Sequence, residues 1–418
     1  MTTTASPPGG QSLLRRHNAA LVLSILLDES RLTRAEIARR AGLSKPTINE
    51  VVGDLIEARL VEETAEVPVG SVRAGPRGRP LVIRSDGGAL VGVDIGANKV
   101  QTLVTDLAGT VLASDRRSTT SGEQPRVEAV LAQVRNSITA ALRGASVDLA
   151  EVRAIGVGVP GDVNLATGEV TLVPQIDGFD GLNLRDLIQT WFPCPIYVDN
   201  EVHLAVLGER WRGAARGIDD AVLINVGIGI AAGILIGGSL HRGATGAAGE
   251  IGYLPLVEDW SRDPPPGGWG VLEYAAGGGA YARLAREAAD GRPGGILRQL
   301  AEGHPERLDA RTVFAAARLG DPESQRIVNQ LLGLLARAVA TVALVLDAST
   351  IVLAGGLARA GKDFLDPLSD MVDALVPRRP QLVLTELGDD AVSLGAIYVA
   401  HRAVWAGVRV SPFVALGP

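Results

Sequence analysis

The sequence predicts an α/β protein: a winged helix-turn-helix at the N-terminus, followed by a larger body of two related lobes. Three observations carry this. A helix, a glycine turn and a second helix are written into Thr33-Arg34-Ala35-Glu36-Ile37-Ala38-Arg39-Arg40-Ala41-Gly42-Leu43-Ser44-Lys45-Pro46-Thr47-Ile48-Asn49. From Leu90 onward short apolar strands alternate with helical stretches, and glycine turns punctuate them. Finally, Asp94-Ile95-Gly96 and Asn225-Val226-Gly227-Ile228-Gly229 both set glycines between apolar strands, a loose duplication that suggests paired lobes.

Residues 1–11 read as a disordered tail rich in Thr, Pro and Gly, without an apolar signal region. Ser12 to Asp28 places Leu14, Leu21 and Ile25 at helical spacing. Thr33 and Glu36 form a capping box that starts a second helix, and Gly42 ends it. Ser44 caps a third helix, where Pro46 is tolerated in the first turn. Ile48, Val52 and Leu55 give that helix an inner face. Leu60-Val61 and Leu81–Ile83 then read as two short strands around a polar stretch, Thr64 to Pro80, the outline of a wing. In the body, strands are expected at Leu90–Asp94, Lys99–Thr105, Ala154–Val159, Ile196–Val198, Ala221–Val226, Ile230–Ile236 and Ile351–Ala354. Long helices are expected at Pro322–Leu346 and Ser393–Trp405.

Composition excludes several classes. With 46% hydrophobic and 21% charged residues the chain can build a large core. At 4% aromatics it lacks the rings of a stacking platform for single-stranded nucleic acid. One cysteine, Cys194, rules out an intrachain disulfide and a multi-cysteine zinc site. The longest apolar run, Ala221 to Gly238, carries five glycines and Asn225, so it reads as two buried strands and not a membrane span. A cytoplasmic location follows. Residues 1–86 hold 12 Lys+Arg against 10 Asp+Glu, giving +2, while the remainder carries −9. A mildly basic head on an acidic body suits DNA contact through the head alone.

A helix-turn-helix lays its second helix in the major groove. Thr47, Asn49 and Lys45, with Ser44 at the helix start, are placed for that groove, and an Asn can pair bidentately with adenine. Arg34, Arg39 and Arg40 would meet phosphates and set register. In Pro76-Arg77-Gly78-Arg79-Pro80, Arg77 and Arg79 suit a narrow A·T-rich minor groove. The same segment reads equally as a solvated hinge.

From about Arg15 to the C-terminus the chain resembles the ROK proteins (repressors, open reading frames and kinases), on several motifs in order. The resemblance implies an actin-like ATPase fold, ribonuclease H-like, with two sugar kinase-like lobes closing over a cleft. It divides the chain into a DNA-binding head at 12–86, a first lobe at 87–205 to which a helix at 392–407 returns, and a second lobe at 206–391. Family kinases carry Asp-Ile-Gly-Gly-Thr-Lys at the ATP phosphates; here the run is Asp94-Ile95-Gly96-Ala97-Asn98-Lys99. Their second loop, Gly-Thr-Gly-x-Gly-Gly-Gly, appears as Gly227-Ile228-Gly229-Ile230-Ala231-Ala232-Gly233, so Cβ atoms stand where a phosphate needs bare backbone. Ala354-Gly355-Gly356-Leu357 survives.

In the kinases an Asp within Glu-Asn-Asp-Ala-Asn takes the proton of the attacking sugar hydroxyl. Here Asp199-Asn200-Glu201-Val202-His203 puts Glu201 at that place, one methylene longer and misplaced for in-line transfer. The sugar cradle implied by the resemblance is Asn200, Glu201, Glu250 and Glu273, with Tyr253 in the place of a histidine. The family's structural zinc has no ligand set here, since Pro264-Pro265-Pro266-Gly267-Gly268-Trp269-Gly270-Val271-Leu272-Glu273 contains no cysteine. No metal and no cofactor are expected. His203 reads equally as a sugar contact or a core histidine.

The resulting expectation is a non-enzymatic transcriptional regulator of carbohydrate genes, with an operator duplex and a sugar or sugar phosphate as partners. It would be a homodimer or dimer of dimers, with no membrane contact. The rivals are an ATP-dependent sugar kinase that also binds DNA, and a constitutive DNA-binding protein whose body only dimerises.

Overall fold

The structure, a computed structural model, describes residues 10–64, 78–96, 98–119, 126–173, 176–256, 265, 268–291 and 295–406. Arg77, Ala97, Pro264, Pro266, Gly267 and most of the expected wing and tail lie outside them.

The head is three helices and a two-stranded ribbon: α1 (Gly10–Asp28), α2 (Arg34–Ala41), α3 (Lys45–Glu57), β1 (Val61–Glu63) and β2 (Leu81–Ile83). Local sequence sets the boundaries. Thr33 accepts from the Glu36 amide while the Glu36 carboxylate takes the Thr33 amide, and Gly42 closes α2 at φ 65°. Ser44 caps α3 through the Thr47 amide. Each such cap is worth about 1 kcal/mol. Ile48, Val52 and Leu55 are buried as expected, joined by Val51. The buried residues of α1 differ from expectation. Leu14 is 61% exposed, and Ala19, Val22, Leu23, Leu26 and Leu27 are buried instead. The reason is that α1 packs on two sides, against α2 and α3 within the head and against the body beyond.

The body opens with β3 (Ala89–Ile95), β4 (Lys99–Asp106), β5 (Val111–Ser118), α4 (Val127–Ala145) and β6 (Val152–Val159). A small antiparallel sheet follows, β7 (Asp162–Val163), β8 (Glu169–Thr171) and β9 (Leu182–Asn183). Then come α5 (Leu184–Gln189), β10 (Ile196–Asn200) and α6 (Glu201–Arg212). The second half holds β11 (Ala221–Val226), β12 (Ile230–Ile236), β13 (Ser239–His241), α7 (Val271–Ala276), α8 (Gly278–Asp290), α9 (Ile296–Leu300), α10 (Ala310–Arg318), α11 (Pro322–Leu346), β14 (Thr350–Ala354), α12 (Lys362–Asp373), β15 (Gln381–Leu384) and α13 (Ala391–Ala406).

The duplication is explicit in the topology. The first sheet runs β10-β6-β3-β4-β5 and the second β15-β14-β11-β12-β13. In each, the first strand is central, the next two continue antiparallel, and the last two return parallel on the other side. Inner strands are covered on both faces, which is why the central β3 and the inner β14 are buried throughout. Ala221 to Gly238 is indeed an antiparallel strand pair with the turn between. Among the described helices α11 has the length and composition to cross a bilayer, but 56% of its apolar window is buried in the second core.

Two helices fill the space between the sheets. α13 lies on the first sheet so closely that a Cβ on Gly92 or Gly156 would meet the Ser393 or Ala396 carbonyl oxygen at 2.0 and 2.1 Å. α6 crosses α13 backbone to backbone: a Cβ on Gly395 would sit 1.8 Å from the Leu204 oxygen, and one on Gly208 2.2 Å from the Ala391 oxygen. α6 also touches the second sheet, where Gly233 leaves room for the Val202 carbonyl. The expected lobe boundary at 205/206 therefore falls inside a helix shared by both sheets.

Candidate functional site

The cleft is built where strand ends and helix starts converge. Asn200, at the end of β10, caps α6: its side-chain oxygen accepts from the Val202 and His203 amides at 2.8 and 3.2 Å. Its side-chain NH2 donates to the Gly161 carbonyl at 2.8 Å. Asn200 thus has its side-chain oxygen and one amide hydrogen engaged in fixing the helix start. Glu201, first residue of α6, is the group that start presents. Burial raises its carboxyl above the ordinary range, the Asp94 charge adds to this, Lys99 opposes it and Glu250 adds again.

Glu250 follows β13, just before the 3-10 turn Ile251–Tyr253. Its carboxyl is pushed up to about 7 by burial, then by the charges of Asp162 and Glu273, with His203 opposing. Among the described residues neither Glu201 nor Glu250 receives a hydrogen bond. Glu273, on α7, is braced: one oxygen accepts from the Ile230 amide at 2.9 Å, and the Gly270 amide also reaches the carboxylate. Its carboxylate lies between Gly229 and Gly252, where a Cβ would come within 2.6 and 3.1 Å. Tyr253 is 51% exposed and donates its hydroxyl to the Gly268 carbonyl at 3.3 Å. A proton-bearing phenol and a proline-rich loop without thiols do not fit the tetrahedral zinc the family resemblance implies. The contact from Tyr253 to Gly268 links the two segments on which the family's ligands would fall.

Sequence reasoning quoted Asp199 without giving it a role, left His203 open and missed Asp162 and Arg242. Asp199 accepts from His203 Nδ1 at 3.3 Å and pairs with Arg242. Burial would raise its carboxyl, but the His203 hydrogen bond and the Arg242 charge bring it below the usual range. Asp162, whose carboxyl is raised by burial, follows the Pro160-Gly161 turn after β6. Only the turn itself could have signalled it. The floor is thus rich in carboxyl groups with hydrogen-bonding capacity to spare, as polyol recognition requires.

The second glycine turn joins β11 to β12. Ala231 and Ala232 belong to β12 and pair with Asn225 and Ile224, so the turn itself keeps Gly227 and Gly229. Ile228, in the place of the threonine of the family kinases, is 46% exposed at its tip. Lys99 is also engaged: its Nζ lies 3.2 Å from Asp94 and 3.3 Å from Asp389, and Arg116 and Arg359 meet the same Asp389.

On the head, Arg34, Lys45, Asn49 and Arg79 line one cleft of about 250 Å³ between the starts of α2 and α3 and the wing. Lys45, Asn49 and Arg39 are exposed. Ser44 and Thr47 bond each other at 2.8 Å at the helix start. Arg34 pairs with Glu63 at 2.9 Å and Arg40 with Glu29 at 2.6 Å, so a phosphate would have to compete for both.

Fold and site together define a two-lobed, sugar kinase-like body carrying a helix-turn-helix head. The ROK family pattern matches residues 90–403, and the chain belongs to that family. The MarR family pattern matches residues 14–69 of the head. A xylose repressor of Caldicellulosiruptor bescii is 26% identical over 93% of this chain and 96% of its own length. A glucokinase of Thermotoga maritima is 30% identical over 75% of this chain and 98% of its own. Among solved structures, a ROK family transcriptional regulator described as a homolog of the E. coli MLC protein superposes with a TM-score of 0.78 over 95% of this chain and 99% of its own. At 22% identity it speaks to the fold alone. A ROK family glucokinase from Streptomyces griseus, in complex with glucose and AMPPNP, gives 0.65 at 29% identity over 75% of this chain and 99% of its own.

Proposed function

We propose that the protein is a transcriptional repressor of carbohydrate genes whose hold on DNA answers to a sugar or sugar phosphate in the acidic cleft. The observation that carries this reading is one chain holding both a capped helix-turn-helix and a cleft of raised carboxyls, Glu201 and Glu250 foremost. The two Caldicellulosiruptor repressors align over 93% and 87% of this chain, head and body together, whereas the Thermotoga glucokinase aligns over 75% of it. Asn49, Lys45, Thr47 and Ser44 enter the major groove; Arg34, Arg39 and Arg40 meet phosphates; Arg77 and Arg79 follow the minor groove. Glu201, Glu250, Glu273 and Tyr253 face the sugar, with Asn200 fixing the helix start beneath it. The protein works in the cytoplasm as a homodimer or dimer of dimers.

Loss of kinase activity belongs to the same proposal. Glu201 is one methylene longer than the Asp of the family kinases, and a base out of place forfeits much of the rate that positioning supplies. The test is a thermal-shift screen of sugars and sugar phosphates, because a ligand of the native state raises apparent stability. Each hit is then added to an operator-binding assay at fixed salt. The reading expects at least one hit that changes DNA affinity. A screen of pentoses, hexoses and their phosphates without a hit rejects it.

A further inference from the structure

We propose that α6 carries cleft occupancy to the DNA head, and that Trp211 near its C-terminal end is the positioning residue of this coupling. The proposal rests on the sugar-cleft reading of Glu201 and adds the route by which the head is told.

The two ends of α6 meet the two functional regions. At its start, Glu201 stands in the cleft on a helix end fixed by Asn200. Ten residues on, about 15 Å along a helix, Trp211 is buried and donates its indole N–H to the Leu27 carbonyl at 3.2 Å. Leu27 lies in the last turn of α1, where carbonyls have no partner within their own helix. The indole therefore caps the head's first helix from the body. Asp28, the last residue of α1, lies within reach of the Tyr398 hydroxyl and the charges of Arg210 and Arg402.

The route between those ends is stiff. Gly208 and Gly395 bring α6 and α13 into backbone contact, and Trp211 faces Tyr398 of α13 at 5.7 Å between centroids. Close-packed interiors shift as blocks and do not deform gradually. A ligand that draws the second lobe onto Glu201 also presses β12 on α6 at Val202. Displacement there has no compliant layer to absorb it before α1. Since α1 packs on both α2 and α3, its tilt re-aims the reading helix. A rival route is the direct chain connection from β2 to β3, residues 84–88.

Hydrogen exchange of residues 14–57 in the full-length protein, with and without saturating D-xylose, D-glucose or glucose 6-phosphate, decides between them. Binding of each probe is measured in parallel by calorimetry. In the wild type, a bound probe should change head exchange by about 5-fold or more, the low end of ordinary coupling factors. Trp211→Phe keeps an aromatic ring, though a smaller one, and removes the N–H. It should bind the probe within about two-fold of wild type yet lose most of the head response, a split that a merely structural defect would not give. Asp28→Asn, on the exposed side of the same contact, should weaken the response as well and covers the case in which Trp211→Phe does not fold. Arg84→Ala in the chain connection should leave it intact. If folded Trp211→Phe or Asp28→Asn responds as wild type does, the proposal is overturned. Binding with no head response in the wild type overturns the coupling and leaves the cleft reading standing. If none of the three probes binds, the coupling falls for these sugars, and the wider screen of pentoses, hexoses and their phosphates decides the cleft reading.

Discussion

Glu250 is raised to about 7 by burial and by its neighbours Asp162 and Glu273, and that has a thermodynamic consequence. A carboxyl with a folded-state pKa above its unfolded value of about 4.3 favours the folded state while it is protonated. Its contribution is complete below the unfolded value and is lost as pH rises through about 7. Glu250→Gln, which cannot ionise, should therefore raise the melting temperature of the sugar-free protein at pH 8 and change it little at pH 5. Differential scanning fluorimetry at the two pH values checks this; an equal shift at both would show that the carboxyl is not strained. Such strain is common where groups are held ready for a ligand. At this scale the sequence was partly legible. Glu201, Glu250 and Glu273 stand in recognisable motifs, and the structure brings them to one cleft. The pairing of Asp199 with Arg242 and the approach of Asp162 to Glu250 depend on chain crossings that no local pattern encodes.

At the scale of elements, the best-read parts are those whose signals are local. The capping box at Thr33, the Ser44 cap and the Gly42 stop were all visible in the sequence, because each is settled within four residues. Strand β5 was missed: it is a polar edge strand, Val111–Ser118, with little apolar alternation. The strands β7, β8 and β9, two or three residues each, carry too little pattern to be seen. For α3, Asn49→Ala should cost roughly 1–3 kcal/mol at the cognate operator and relax one base position. Competition binding against single-base operator variants would measure it, and a uniform loss on all variants would show that Asn49 contacts no base. The crossing of α6 and α13 gives a second expectation. Gly395→Ala puts a Cβ where the Leu204 carbonyl oxygen stands, at 1.8 Å, so the helices must part. Overpacking of this kind costs about 1–3 kcal/mol. A lowered urea midpoint should report it, and an unchanged midpoint would mean that the crossing is softer than its geometry.

For the whole molecule, the question is what the two lobes have kept and what they have given up. Glycine turns in both halves foreshadowed the duplicated sheets, and the shared topology bears that out. The residues between the lobes were not legible, because their meaning lies in convergence. Lys99, Arg116 and Arg359 come from separate elements and meet Asp389 at the start of α13. Burial would raise that carboxyl, yet the three cations bring it to about 2. In a family kinase Lys99 would belong to the nucleotide-phosphate turn, but here it is held between Asp94 and Asp389. By the same comparison Ile228 stands at the tip of the second glycine turn where the kinases have a threonine, and Glu201, one methylene longer, stands where they have the Asp base. Phosphoryl transfer depends almost wholly on positioning and on charge aimed at the phosphate. On the proposed reading three separate parts of that apparatus are altered, and restoring one leaves the other two in place. A coupled assay with ATP, magnesium and a panel of pentoses and hexoses should thus show no turnover near the 1–100 per second or so of ordinary kinases, in the wild type and in Glu201→Asp alike. The same preparation should respond to a sugar in the thermal-shift screen, which separates an inactive kinase from an unfolded one. Turnover near the kinase rate in the wild type would mean that Lys99 leaves Asp389 when nucleotide arrives, and the protein would then be a kinase that also carries a DNA-reading head.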